Sequence, residues 1–282
     1  NYISVAIQAH IEDGHEWTQG LKVKANTIVR SVTRGMGPAA QAVAMDLAAI
    51  GGLLYSRQPL NKQGPVWAHH AVVLGCYFVL RELELSYATR GDIRLDRELS
   101  RIHWRLPVSK TDAKAKGCTR SWGCLCSTAG PTLCPYHLME EVMDDPELQH
   151  ATEAHPLFGT TSGKIVAKTA MIAAFRIIAD ASGTTPRTDE HAEVSGHSLR
   201  VTGAQHLAAM GLELALIQSL GRWGGSTIMR YVGEAPLSKV TAKYRALHTQ
   251  DDLEGMRAKA AEYAAAPTAP PEIDADTRDV DA

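Results

Sequence analysis

The sequence predicts a mostly helical fold broken by one short stretch of β-structure. From residue 39 onward most apolar residues recur at helical spacing. Between Arg101 and Val108 the period becomes two: Ile102, Trp104, Leu106 and Val108 alternate with Arg101, His103, Arg105 and Pro107. The next segment, Ser109 to Gly117, is polar and lysine-rich and suits the tip of a hairpin.

Residues 1–35 hold two amphipathic stretches, one marked by Ile3, Ala6, Ile7, His10 and Ile11, the other running from Val23 to Val32. They predict two helices ending at Arg34-Gly35-Met36-Gly37-Pro38, a turn or linker. Helical spacing then covers 40–54 and 66–89, the second with the dense apolar run Val72 to Leu80. A helix so apolar is buried, and a charge at its end, Arg81, calls for an explanation. After the period-two strand, helices are expected over 166–180, where Val166, Ala170, Met171, Ala174, Ile177 and Ile178 share a face, and over 197–210 and 212–220. Ser226 to Val232 reads as a short helix after the Gly224-Gly225 break. The Ala-, Pro- and acid-rich stretch from Ala264 to Ala282 is expected to be disordered, and no internal repeat is present.

With 282 residues, 45% of them hydrophobic, the chain can bury one large domain or one domain and part of another. No apolar run approaches a membrane span and no signal-peptide pattern opens the chain. Five cysteines, an odd number, fit a reducing compartment better than a secreted disulfide framework. The chain opens on Asn1, and a further N-terminal portion is expected upstream. The net charge of −2 is unevenly spread. Residues 251–282 carry nine acids and three bases, a net −6, which leaves +4 on the rest. Residues 101–120 hold six bases, Arg101, Arg105, Lys110, Lys114, Lys116 and Arg120, against one acid, Asp112. A local basic patch decides phosphate binding more than the total does, so the balance permits a nucleic-acid partner.

The densest chemistry lies in Ser195-Gly196-His197-Ser198-Leu199-Arg200, then Gly221-Arg222-Trp223, then Tyr231. His197 and Arg200 are three apart and share a helix face. Ser195 is a candidate N-cap, which would set the pair on a first turn whose free N–H groups attract anions. That design suits a phosphodiester, and a tyrosine near it is a candidate covalent nucleophile.

These residues resemble the C-terminal signature of the tyrosine recombinases, the phage-integrase-like enzymes. Within that family they look like the Cre-like and retroelement-type branch, with tryptophan where other members have a second histidine, here Trp223. Tyr231 follows Trp223 by eight positions, one fewer than is common in bacterial and phage members and as is usual in retroelement-type ones. The resemblance extends to Arg81, followed by Glu84 and Gly91-Asp92-Ile93, which is similar to the family's first-arginine box. It extends also to Lys110, which follows the alternating strand where the family places its catalytic lysine; Lys114 and Lys116 are rivals, as Tyr244 is to Tyr231. It spans roughly residues 36–248.

The resemblance implies a mainly α catalytic domain with a small antiparallel β-sheet, the DNA breaking-rejoining fold, at 36–248. Residues 1–35 would be the remnant of a helical DNA-clamping (core-binding) domain and 249–282 an acidic tail. It implies cleavage and rejoining of double-stranded DNA through a 3′-phosphotyrosyl intermediate, by a homotetramer on paired sites, with no cofactor for catalysis. Arg81 and Arg200 would clamp the phosphate, with Glu84 orienting Arg81. His197 would handle protons, Lys110 protonate the leaving oxygen, Trp223 support the pocket and Tyr231 attack. The place of action would be intracellular and DNA-associated, nuclear in a eukaryote. Relaxation of the type IB topoisomerase kind and a non-catalytic DNA-binding remnant of a mobile element are the alternatives.

Cys124, Cys126, Cys134 and His137 form a separate group. A Cys-x-Cys pair and a Cys-x-x-His pair supply enough ligands for one tetrahedral zinc. The competing reading is a loop of reduced thiols around the stretch Ser127 to Pro131, and a zinc-dependent regulatory module is a third functional reading.

Overall fold

The computed structural model describes residues 2–34, 42–107, 117–184, 193–223 and 227–232, with 254, 255, 257 and 258. The chain divides into two compact units, 1–202 and 203–282.

The first unit opens with α1 (Tyr2–Glu12) and α2 (Gln19–Thr33), the two helices expected there. The Thr18 hydroxyl caps α2 by accepting the Leu21 N–H at 3.3 Å. Among their described side chains none is buried, and Val5, Val23, Ile28 and Val32 are exposed. The helical reading of 40–54 contracts to α3 (Leu47–Gly51), because Asp46 caps Ala49 N–H at 3.0 Å and Gly52 ends the turn.

The apolar run forms α4 (Ala68–Tyr77), all ten residues of which are buried. The sequence predicts one helix through residue 89; the structure instead ends α4 and begins α5 at Glu82–Ser86. The break is a Schellman motif, in which Leu80 N–H reaches Gly75 C=O at 2.8 Å and Val79 N–H reaches Cys76 C=O at 3.2 Å. The left-handed position, normally glycine, is Val79 at φ +53°. Arg81 is therefore the N-cap residue of α5 rather than the outer end of α4.

One three-stranded antiparallel sheet follows, in the order β1 (Ile93–Asp96), β2 (Arg101–Leu106), β3 (Cys118–Gly123). β2 alternates as the sequence predicts, with Ile102, Trp104 and Leu106 buried. Trp104 pairs with Ile93 on one side and Arg120 on the other, and its ring meets Phe78 edge-on at 4.9 Å. The hairpin tip, 108–116, with Lys110, Lys114 and Lys116, lies outside the described residues.

The stretch after β3, expected as a loop, is helical. It forms α6 (Cys126–Ala129), a 3-10 turn at Pro131–Leu133, α7 (Pro135–Met143) and α8 (Pro146–Gln149). Pro135 is preset for a first helical position, and Leu138, Met139 and Val142 bury the inner face of α7. α7 packs on α4 and on strands β2 and β3. α9 (Lys168–Ala181) then lays Met171, Ala174, Phe175 and Ile178 against the core shared with α4 and α5.

The division between the units falls within α10 (Ser198–Ala209). The second unit continues with α11 (Leu214–Gly221) and α12 (Thr227–Val232), which pack together; Ile217, Ile228 and Val232 are buried. Tyr244 and most of the acidic tail lie outside the described residues. No described helix is long and apolar enough to cross a membrane.

Candidate functional site

In the first unit, two arginines 119 positions apart in the sequence meet at one carboxylate. Glu84 Oε2 accepts from Arg200 Nη2 at 3.1 Å and from the Arg81 backbone N–H at 2.7 Å. Its Oε1 lies 3.4 Å from the same Arg200 nitrogen and 3.8 Å from Arg81 Nη1. The Arg200 side chain is only 2% exposed and Glu84 13%, whereas Arg81 keeps 26% of its side chain in solvent. Glu84 can do this because it sits on the first turn of α5, facing back to its own N-cap residue.

The Ser195–Arg200 segment is ordered by its serines. Ser195 N–H donates to Ser198 Oγ at 2.9 Å, and His197 N–H donates to Ser195 Oγ at 3.3 Å. Ser195 was expected to cap a helix bearing His197 on its first turn. The helix instead begins at Ser198, and the His197 carbonyl accepts from Arg200 and Val201 at 3.1 and 3.2 Å. His197 thus takes the N-cap position, exposed at the mouth of α10.

Glu82 and Lys168 complete the cluster, and no motif along the chain marks either. Lys168 Nζ lies 3.2 Å from Glu82 Oε1, and Glu82 is 5% exposed. Glu82 N–H donates to Gly196 C=O at 3.3 Å, and a Cβ at Gly196 would collide with the Glu82 carboxylate. Glycine is therefore what lets the His197 segment press onto α5. Desolvation lowers the His197 pKa; Glu82 opposes this, and Arg81, Arg200 and Lys168 reinforce it. The shift favours the neutral imidazole, the form that can accept a proton. Three cations against two carboxylates leave the cluster with an excess of positive charge, the balance an oxyanion requires.

In the second unit, Gly221, Arg222 and Trp223 form the exit of α11. Arg222 adopts the left-handed conformation at φ +55°, and Trp223 N–H returns to Gln218 C=O at 3.1 Å. The indole folds back over Gly221, where a Cβ would lie 2.7 Å from the ring. Tyr231, on α12, stacks on this indole with centroids 4.4 Å apart and planes 14° from parallel. The two sequence-predicted aromatic residues are therefore in direct contact, and the tryptophan holds the phenol ring.

The cysteine group also comes together: the donor atoms of Cys124, Cys126, Cys134 and His137 all lie within 4.8 Å of one another, so the group could bind zinc. Of the sequence-predicted site residues, Lys110 alone lies outside the described part.

Comparison with family models gives no match, and neither does comparison with curated protein sequences. Solved structures do match. The chain is similar to a lambda integrase dimer bound to a COC′ core site, with a TM-score of 0.52 and 17% identity over 82% of this chain and 70% of that one. It is similar to XerA recombinase, with a TM-score of 0.51 and 17% identity over 74% of this chain and 66% of that one. It also matches XerH site-specific recombinase bound to difH substrate, with a TM-score of 0.46 and 14% identity over 66% of this chain, and spans about half (47%) of that chain's length. At such identities the likeness is one of fold. The mainly helical chain with its three-stranded antiparallel sheet has the fold of the tyrosine recombinase catalytic domain.

Proposed function

We propose that this protein is a site-specific recombinase or integrase that cleaves and rejoins double-stranded DNA through a 3′-phosphotyrosyl intermediate. The observation that carries the reading is the Glu84 carboxylate, which ties Arg81 and Arg200 together within electrostatic reach of His197. Cleaving a phosphodiester requires a nucleophile, neutralisation of the pentacoordinate transition state and a proton for the departing oxygen. Guanidinium forks match non-bridging phosphate oxygens, which is the role proposed for Arg81 and Arg200. A neutral His197 takes up and returns a proton, and Lys110 protonates the 5′ oxygen. Tyr231 attacks phosphorus, its ring held by Trp223.

The covalent link conserves the energy of the broken bond, so the proposed chemical step calls for neither nucleotide nor metal. Return by a different 5′ hydroxyl gives recombination. The assembled form we propose is a homotetramer on paired sites, acting on intracellular DNA, with 1–35 as the end of a DNA-clamping domain, 36–248 as the catalytic domain and 249–282 as an acidic tail. The branch with tryptophan at the second-histidine position, Cre-like and retroelement-type, accounts best for Trp223, and a mobile element is the proposed setting.

The test is trapping on a nicked suicide substrate. The wild-type chain should form a protein–DNA adduct, Tyr231→Phe should bind DNA without forming one, and Tyr244→Phe should keep it. An adduct surviving in Tyr231→Phe would overturn the nucleophile. DNA binding without any adduct in the wild type would leave only a non-catalytic binding protein.

A further inference from the structure

We propose that Cys124, Cys126, Cys134 and His137 form a structural zinc site that fastens the sheet to α7. Four donors bound to one tetrahedral zinc lie at the corners of a tetrahedron. Zn–S bonds of about 2.3 Å and Zn–N bonds of about 2.0–2.1 Å make its sulfur–sulfur edges about 3.8 Å and its sulfur–nitrogen edges about 3.5 Å. Cys124 Sγ and Cys134 Sγ are 3.8 Å apart. His137 Nδ1 is 3.8 Å from Cys124 Sγ, 3.1 Å from Cys126 Sγ and 3.3 Å from Cys134 Sγ. Four of the six edges thus lie near those of a coordination tetrahedron, the other two are no longer than 4.8 Å, and three free cysteines face one imidazole nitrogen.

The local folding explains the convergence. Cys124 follows the end of β3, and its N–H is tied to Ser100 C=O at 2.9 Å, at the start of β2. Cys126 opens α6, and the 3-10 turn at Pro131–Leu133 brings the chain back to Cys134. Cys134 is the N-cap residue of α7, and His137, three residues on, shares its face. The Leu125 N–H donates to Cys134 Sγ at 3.1 Å, an amide–sulfur bond that stabilises a thiolate ligand. Four protein donors close the coordination sphere, so the metal is structural. Cys76 and Cys118 are not in the group.

The ion would pin the last turn of β3 to the first turn of α7, the helix packed on α4. It would thus anchor one leg of the β2–β3 hairpin. This inference does not depend on the reading as a recombinase.

The test uses the whole reduced chain. Metal analysis should give one zinc per chain. Cobalt(II) added to apo-protein should produce the visible bands of tetrahedral cobalt together with sulfur-to-cobalt charge transfer. Cys126→Ser should weaken zinc by at least about a hundredfold, since outer partners alone are worth roughly 10- to 100-fold. Cys118→Ser should bind as the wild type does. Absence of the tetrahedral cobalt spectrum in reduced wild-type protein overturns the site, whether or not the variant folds. So does a zinc content that Cys126→Ser leaves unchanged. Adduct trapping on the same preparation is read separately: zinc without adduct removes the recombinase reading alone, and adduct without zinc removes this site alone.

Discussion

Replacing Glu84 by alanine is expected to destabilise the fold by about 4–6 kcal/mol. The largest share comes from Arg200, which is 2% exposed and has both Glu84 oxygens within 3.4 Å of Nη2. Withdrawing the carboxylate from such a buried pair costs about 3–5 kcal/mol. Loss of the 2.7 Å bond from the Arg81 N–H removes a helix-start contact worth about 1 kcal/mol. The Arg81 guanidinium, 3.8 Å away and a quarter exposed, adds no more than about 0.5 kcal/mol after solvent screening. Glu84→Gln keeps an acceptor for the Arg81 N–H and should lose roughly 3 kcal/mol, leaving it between wild type and alanine. Urea melts at pH 7 measure both variants. A cycle combining Glu84→Ala with Arg200→Met measures the coupling between the two side chains. An alanine variant within about 1 kcal/mol of wild type would refute the idea that this pair is an energetic unit. So would a glutamine variant indistinguishable from alanine.

Gly221→Ala places a methyl 2.7 Å from the Trp223 ring; it should shift the tryptophan near-UV circular dichroism, cost about 1–3 kcal/mol and slow adduct formation, and unchanged spectra would contradict the packing. His70 is buried and its pKa is pushed down to about 4 by desolvation, even with Glu141 at 3.0 Å. The unfolded imidazole titrates near 6.5, so the unfolded chain takes up a proton first, and stability should fall by about 3 kcal/mol between pH 6.5 and 4, with no loss above 6.5. Urea melts of His70→Gln across that range should show a shallower dependence. A substrate with 5′-bridging sulfur leaves without needing a proton, so it should rescue Lys110→Ala but not Arg200→Ala, and equal failure of both would bring Lys114 or Lys116 forward.

The sequence made the helix and strand pattern legible where periodicity was long, as at 166–180 and in the alternation of Ile102, Trp104 and Leu106. It missed the break between α4 and α5 because the usual sign is a glycine, and Val79 occupies the left-handed position. α7 was less legible because its nine residues are a short run for a periodic signal, although Pro135 and the spacing of Leu138, Met139 and Val142 mark it. Arg81 and His197 could be chosen by resemblance, but their local setting could not: each is the residue just before a helix, Arg81 rather than the end of α4 and His197 rather than part of the first turn. Glu82 and Lys168 lie 86 positions apart, and no pattern along the chain links a pair made only by packing α9 on α5.

Val79 has a consequence for how this chain tolerates change. A β-branched residue held in the left-handed region carries about 1–3 kcal/mol of backbone strain, while burying its side chain recovers about 1.5–3 kcal/mol. Glycine would relieve the first term and forfeit the second, leaving a hole in the fully enclosed surroundings of Val79. Alanine would keep most of the strain and still open the hole. Neither of the usual repairs is an improvement, so the position is a narrow local optimum with steep sides. Design rules that place glycine wherever φ is positive would misjudge it, and they would do so two residues before Arg81.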